Sequence, residues 1–470
     1  MFLVNQKIKK STKMKKKIMY AALLLVGTSV INFSCQKNDG KYDHFWDYDK
    51  MHGHLKQTKN FSSDVVISWI DMQLTMLKVP LPAGTGSQAT ERCQAYCGIA
   101  LYESVMPGMP AYQSLCGQLT DFPGMPSTEQ GKAYHWAACA NAALADMNRK
   151  LFPTTADANK MAMNHLEDSL NAIYAAETDA STLQRSIAFG KEVSSRIFTW
   201  AATDGSANVN PPYVPPSADP VELAAKPWLW IPTAPTPPIN PYAFQRRLLV
   251  PGVANGTALP PPPAFSTDPG SDFWKMAKDV YDKKNNATAD QQAASIYHRD
   301  VPGYSPGGNF VSILSQTLAK AKPALDVAAE AYAKIGIVQS DATVICFTNK
   351  YIFNLIRPVT YINKYIDPAW VTFIAVPNHP EFPSGHATIN SAATSMFSNM
   401  FGANFHITLH TYDYLGFPPR SFNSWEDMSI EMSNSRVTSG LHYQATCDKS
   451  RVQGKKIAAN ILATLRFSKD

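Results

Sequence analysis

From Ser62 onward, apolar residues return every three to four positions, and this period constrains the chain more than any other feature. Val65, Val66, Trp69, Ile70, Leu74 and Leu77 fall on one face of a helix that Ser62 or Ser63 would cap. The same spacing recurs over residues 88–106, 130–150, 158–175, 180–202, 308–336 and 341–356. Alternating strand patterns closed by Asn-Gly or Asp-Gly hairpins are nearly absent. An all-α fold, a helical bundle, is therefore expected. With 470 residues, 45% of them hydrophobic, the chain is long enough to bury a large core.

One stretch interrupts the helical pattern. Residues 206–268 are dense in proline (Pro211-Pro212, Pro215-Pro216, Pro237-Pro238 and 260–263), with Tyr213, Trp228, Trp230 and Tyr242 interleaved. Such a segment is either an exposed polyproline ligand for a partner or a long loop packed over the helices. The aromatic residues need burial, which favours the packed loop, edging a functional site.

The N-terminus reads differently again. Residues 1–34 carry seven lysines and no acid, so removing them takes the formal charge from +6 for the whole chain to −1 for the rest. A basic nucleic-acid-binding surface is thereby excluded from the expectations. Lys13, Lys15, Lys16 and Lys17 precede an apolar run over 19–33 that ends at Ser34-Cys35. This resembles a lipoprotein signal peptide, with Cys35 the lipid-modified residue, although Asn32 departs from the usual aliphatic position. An ordinary signal peptide or a signal anchor are the alternatives, and the run is short for a membrane span. The expected division is a signal peptide over 1–34, a polar tether over 35–60 and one helical domain over 61–470. The expected location is outside the cytoplasm, on the bacterial envelope membrane (periplasm or cell surface), with membrane contact through the lipid alone. Of the six other cysteines, Cys93 and Cys97 lie four apart on one helix face. That spacing suits burial, and small buried thiols are expected throughout.

Three stretches near the C-terminus carry chemistry. Lys350 and Arg357 stand seven apart in a segment read as helical, two turns apart on one face, with Pro358 ending the helix. Around them are Cys346, Phe347, Tyr351, Ile352, Phe353 and Leu355, and cations in apolar company call for an anion. Next, Pro383-Ser384-Gly385-His386 opens a helix whose apolar face is Ile389, Ala392, Ala393, Met396, Phe397, Met400 and Phe401. Ser384 is a natural N-cap, and the free N–H groups beyond it, beside a glycine, attract oxyanions. A protonated His386 there opposes the helix dipole, so its pKa should fall unless an anion binds beside it. Finally, Ser435-Arg436 and His442 add a third cation and a second imidazole, across a bend at 437–441 and ahead of a helix over 453–467.

The order Lys-x6-Arg-Pro, Pro-Ser-Gly-His, Ser-Arg-x5-His resembles the superfamily that joins type 2 phosphatidic-acid phosphatases, bacterial acid phosphatases and vanadium-dependent haloperoxidases. The motif covers 350–442, and the helical stretch from about residue 60, including 92–110, is similar to the soluble haloperoxidase branch. The resemblance implies a vanadium chloroperoxidase or acid phosphatase-like bundle. It implies that Lys350, Arg357 and Arg436 clamp the equatorial oxygens of vanadate or phosphate, with Ser384 and the Gly385 N–H adding hydrogen bonds. His442 would be the axial group, ligating vanadium in a haloperoxidase or forming phosphohistidine in a phosphatase. His386 would be the acid–base.

Two positions bear on the choice. The superfamily usually has an Asp four residues after the axial His, orienting the ring, whereas here that residue is Thr446 and the nearest acid is Asp448. This departure weighs against a strongly nucleophilic His442. His379, seven before His386, matches the bromide-oxidising relatives, where chloride-oxidising ones have Phe. The first expectation is therefore a haloperoxidase that binds vanadate and oxidises halide, bromide or iodide before chloride, with hydrogen peroxide. The second is a phosphomonoesterase without cofactor. The third, suggested only by Thr446, is a protein that binds phosphate without turnover.

Overall fold

The computed structural model describes residues 56–78, 87–299 and 306–469. The expected signal peptide and Cys35 lie outside the described residues. Among the described residues there are fourteen α-helices and one two-stranded sheet, so the all-α expectation holds.

The first half of the chain forms α1 (Asp64–Lys78), α2 (Ser87–Val105), α3 (Trp136–Leu151), α4 (Asp157–Ala175) and α5 (Ala180–Ala201), close to the periodic stretches. Only α3 starts later than its period suggests. His135 is its N-cap, its side chain accepting from the Ala138 N–H, and residues 130–135 run ahead of it without helical structure. Residues 58–60, placed in the tether by their polarity, are docked on the body: Thr58 is buried and donates to the Val105 carbonyl at 2.8 Å.

The second half is built on α9 (Pro306–Ala321) and α10 (Leu325–Phe353). Sequence periodicity divides this region at about residue 336, but the chain divides it at Lys322–Ala324. Pro323 cannot extend a helix, and Lys322 takes a left-handed φ of 47°. From Leu325 to Cys346 nearly every side chain of α10 is buried, as in a helix surrounded by others. It packs against α2 on one side and, on another, against α12 (Gly385–Phe401). The α2 approach is close because of Gly336, where a Cβ would stand 2.7 Å from the Ala95 Cα. The bundle is completed by α13 (Trp425–Thr438) and α14 (Gln444–Thr464). Gly454 brings α14 onto α12, since a Cβ there would fall 2.1 Å from the Thr388 carbonyl oxygen. Strands β1 (Ile407–Leu409) and β2 (Arg420–Phe422) pair antiparallel between α12 and α13. One hydrophobic cluster runs from α1 to α14, and a second gathers around Leu355, Tyr361, Phe382 and Tyr443, beside the motifs.

Periodicity did not anticipate α6 (Pro220–Ala225), α7 (Asp272–Asn285), α8 (Ala289–Tyr297) or α13. A signal for α8 is present in Thr288 and Gln291, which form a reciprocal capping box. The proline-rich segment wraps over the helices. Trp230 is buried and its backbone N–H donates to the Asn354 carbonyl at 2.8 Å. Thr233 and Ile239 bond to residues 377–378, and Tyr351 Oη donates to the Ile239 carbonyl at 2.6 Å. Five cysteines (Cys93, Cys97, Cys139, Cys346 and Cys447) are buried free thiols; Cys116 is half-buried and is not among the free ones.

Candidate active site

Lys350 lies in the last turn of α10, but Arg357 is not on that helix. Asn354 closes α10 in the left-handed conformation, φ 46°, and residues 355–357 run on without helical structure, Leu355 bridged to Leu229 and Arg357 extended. Pro358 then occupies the first turn of α11 (Pro358–Tyr365), which Arg357 precedes as N-cap. Pro358 therefore starts a helix rather than ending one, and the reversal of the chain brings the two cations together.

Both are buried, with relative exposures of 0%. The Lys350 ammonium donates to the carbonyls of Pro380 (3.0 Å), Glu381 (3.1 Å) and Pro383. Arg357 donates Nε to the His379 carbonyl at 2.9 Å and Nη1 to the Leu441 carbonyl at 3.0 Å; its Nη2 lies 2.9 Å from His379 Nδ1. Neither has a carboxylate among its ion-pair partners. Burial pushes the Lys350 pKa down to about 7 and Arg357 down to about 10. Arg436, in the last turn of α13, is 1% exposed and donates to the Ser435 hydroxyl and the Ser295 carbonyl, each at 3.1 Å.

Ser384 is the N-cap of α12, accepting from the Ala387 N–H, while its own N–H donates to Ser450 Oγ at 2.9 Å. Beside Gly385, in the first turn of α12, nothing lies within 4 Å of where a Cβ would be, so there is open space at this point. His386 is half-buried, and its Nε2 donates to the His298 carbonyl at 3.0 Å, at the C-cap of α8. Its pKa is lowered, as expected, but burial and the Arg436 charge do this.

His442 is 3% exposed, and its Nε2 stands 3.3 Å from Arg357 Nη1. Its other nitrogen, Nδ1, lies 2.8 Å from the Glu381 carboxylate. Sequence reasoning missed Glu381. It is buried, accepts from the Tyr443 N–H at 3.1 Å and from Thr446 Oγ1 at 3.0 Å, and has a pKa raised by burial to about 7. Thr446, which stands where the usual Asp would be, donates to this carboxylate. Asp448 is exposed and bonded to Gln444 Nε2. A carboxylate does meet the His442 imidazole, from a different element, and the sequence argument against a nucleophilic His442 falls away with it. The one feature that suggested a non-catalytic phosphate binder falls away too. The available signal was an acid set between Pro380 and Phe382-Pro383, in otherwise apolar surroundings.

His379 is at the site, 7% exposed, its ring edge-on to Phe347 at 5.1 Å. His298, buried, and Glu431, half-buried, were also missed; they pair at 2.8 Å behind His386. All the motif residues predicted for the site therefore converge, carried by α10, the 354–357 link, residues 377–384, and the facing ends of α12, α13 and α14. Arg357 and Lys350 bring positive charge with no carboxylate in ion-pair contact, Glu381 acting on them only through space, and Gly385 borders open space. That set fits a tetrahedral oxyanion. Among the described residues no group of three His, Cys, Asp or Glu side chains stands ready for a bare metal cation; an oxyanion such as vanadate is what these cations could hold, with Nε2 of His442, beside Arg357, available as a nitrogen donor.

Comparisons agree with this geometry. The family model described as "VCPO second helical-bundle domain" matches residues 330–468, the span holding every motif. A search of curated protein sequences finds no match. Among solved structures, one described as the first bacterial vanadium-dependent iodoperoxidase superposes with a TM-score of 0.79 at 27% identity, covering 87% of this chain and 98% of its own. A bacterial vanadium-dependent chloroperoxidase in its holo form gives a TM-score of 0.60 at 15% identity over 82% of this chain and 92% of its own, a likeness of fold. The fold, the matched domain and the converging motif residues agree in supporting the vanadium haloperoxidase superfamily, and an enzyme of that kind.

Proposed function

We propose that the protein is a vanadate-dependent haloperoxidase that oxidises iodide or bromide with hydrogen peroxide. The observation carrying this reading is the pairing of two buried cations, Lys350 and Arg357, that have no carboxylate partner, with an axial imidazole whose Nδ1 is engaged by Glu381. A proton on Nδ1 leaves the Nε2 lone pair as the ligand. Lys350, Arg357, Arg436, Ser384 and the Gly385 N–H would hold vanadate, which when bound supplies an electrophilic centre that activates peroxide toward halide. The net reaction consumes one proton: halide loses two electrons, peroxide gains them, and hypohalous acid and water leave. His386, neutral because burial and Arg436 disfavour its charged form, is placed to carry that proton. Fixed cations aimed at the oxyanion supply the largest stabilisation, because the low-dielectric site strengthens them. The preference for iodide or bromide is supported by His379 beside Arg357, and by the iodoperoxidase being the more similar of the structures compared.

Glu381 also favours a second reading. A carboxylate on Nδ1 is what a nucleophilic histidine needs, so a phosphomonoesterase acting through phosphohistidine is supported by the same pair. One paired assay separates the two, on protein dialysed free of phosphate. Vanadate-dependent iodide or bromide oxidation, abolished in His442→Ala, is the expected result. Aryl-phosphate hydrolysis that vanadate inhibits would make the protein a phosphatase instead.

A further inference from the structure

We infer that Glu381 is the positioning residue for the axial histidine, and that it replaces, from a separate loop, the acid that the motif usually carries four residues after that histidine. The inference rests on the reading of His442 as the axial group. Its geometry is independent of that reading. The carboxylate is 0% exposed, and one oxygen accepts from both His442 Nδ1 (2.8 Å) and the Tyr443 N–H (3.1 Å). The other accepts from Thr446 Oγ1 at 3.0 Å. Both oxygens are thus committed to His442 and to the first turn of α14, and neither is left for Lys350 or Arg357.

Two consequences follow from this placement. The carboxylate accepts, so the imidazole proton sits on Nδ1 and the Nε2 lone pair faces Arg357 and the anion space. The negative charge also raises the basicity of Nε2, strengthening it as ligand or nucleophile. The backbone of Glu381 adds a second link, because its carbonyl accepts from the Lys350 ammonium. One loop residue therefore sets the ring with its side chain and the lysine with its main chain. The competing role is simple capping of α14, since an acid at a helix N-terminus is stabilising by itself. Thr446, at the third position of that helix, holds the place where the usual acid would stand, and its hydroxyl has become a donor to the relocated carboxylate.

The variant Glu381→Gln keeps the shape and one acceptor oxygen, removes the charge and replaces the second acceptor with an NH2 donor. It should weaken orthovanadate binding, measured calorimetrically without peroxide or halide, by about 10- to 100-fold, the range for partners of metal ligands. Adding Thr446→Asp returns a carboxylate to the same ring from α14, and should bring affinity back to within about tenfold of the native protein. A mere cap predicts that Glu381→Gln lowers thermal stability while vanadate affinity stays within threefold, and that outcome overturns the inference. So does a double variant that regains stability and no affinity. On the native protein, 15N NMR of the histidines, with His442 identified by its loss in His442→Ala, should show the proton on Nδ1. A proton on Nε2 overturns the inference even where the variants fail to fold. If native protein binds no vanadate, the proposed function falls, and the tautomer alone then decides the role of Glu381.

Discussion

Helix α10 passes through two buried polar clusters, and they handle positive charge in opposite ways. Midway along it, Ser340 and Asp341 face a structural knot. Asp341 accepts from the Leu249 and Val250 N–H groups at 2.7 and 3.0 Å, and Ser340 accepts from Arg246. Nearby, Arg92 pairs with Asp204 at 2.5 Å, and Tyr96 Oη donates to the same carboxylate at 2.9 Å. About 13 Å further along the helix axis, at the usual rise per residue, Lys350 opens the second cluster. Here the cations meet carbonyls and imidazoles, and the one carboxylate, Glu381, is turned to His442. In the first cluster charge is neutralised within the protein, which fixes the proline-rich segment and α5 onto α2 and α10. In the second, Lys350 and Arg357 keep charge for something brought from outside. Two largely buried clusters thus serve stability and binding respectively, and the carboxylate in ion-pair contact makes the difference.

Exchanging which arginine is lost tests this contrast most severely. Arg92→Ala strips the partner from Asp204, whose side chain is 1% exposed, and should destabilise the fold by about 3–5 kcal/mol. Vanadate affinity of the folded fraction should be unchanged. Arg357→Ala should do the reverse: a loss of about 100-fold or more in vanadate affinity, from removing charge-assisted bonds, with a smaller loss in stability. Urea unfolding and calorimetric titration of both variants measure this. Equal stability losses and equal affinities would erase the distinction between the clusters.

The retained charge also has a pH signature. Binding an oxyanion needs the Lys350 ammonium, whose pKa in the empty site is held down to about 7 by burial. Below pH 7 the site is already charged. Above it, each binding event must take up a proton, so affinity falls by up to about tenfold per pH unit as pH rises. Sulfate is the appropriate probe because it does not itself titrate in this range. Its affinity should decline from pH 7 to 9, and Lys350→Met should weaken binding throughout and make the slope shallower, leaving the part due to Glu381, whose pKa burial raises to about 7. A pH-independent affinity in the native protein would place the lysine outside the binding event.

How much of this the sequence carried depends on how local each feature is. Ser384 capping α12 was legible because capping chemistry and helix period both lie within one stretch of chain. The three cations and two imidazoles were legible as an ordered motif. The end of α10 was not, because Arg357-Pro358 reads equally as a helix stop or a helix start. Only the left-handed Asn354 decides between them. Pro323 was a local signal that outweighed the apolar period around it, and dividing α9 from α10 there would have needed no structure. Glu381 is of another kind. Its partner is 61 positions away, and it stands among prolines with no period to place it. Spacing rules find residues that cooperate within a helix, and this pair cooperates between a loop and a helix start.

The smallest effect is expected at Thr446. Thr446→Val deletes one hydrogen bond to Glu381 while keeping volume and the β-branch, and the carboxylate retains its bonds to His442 and Tyr443. An oxygen that loses one donor in a buried site costs about 1–3 kcal/mol if nothing replaces it. That cost should fall mainly on stability, since the oxygen facing His442 is the other one. Vanadate affinity should drop by no more than about fivefold, taking a typical net hydrogen bond of about 1 kcal/mol. A drop as large as that of Glu381→Gln would mean that the hydroxyl, rather than the carboxylate charge, orients the ring. The site would then differ from the paired cluster in geometry alone, and not in where its charge is kept.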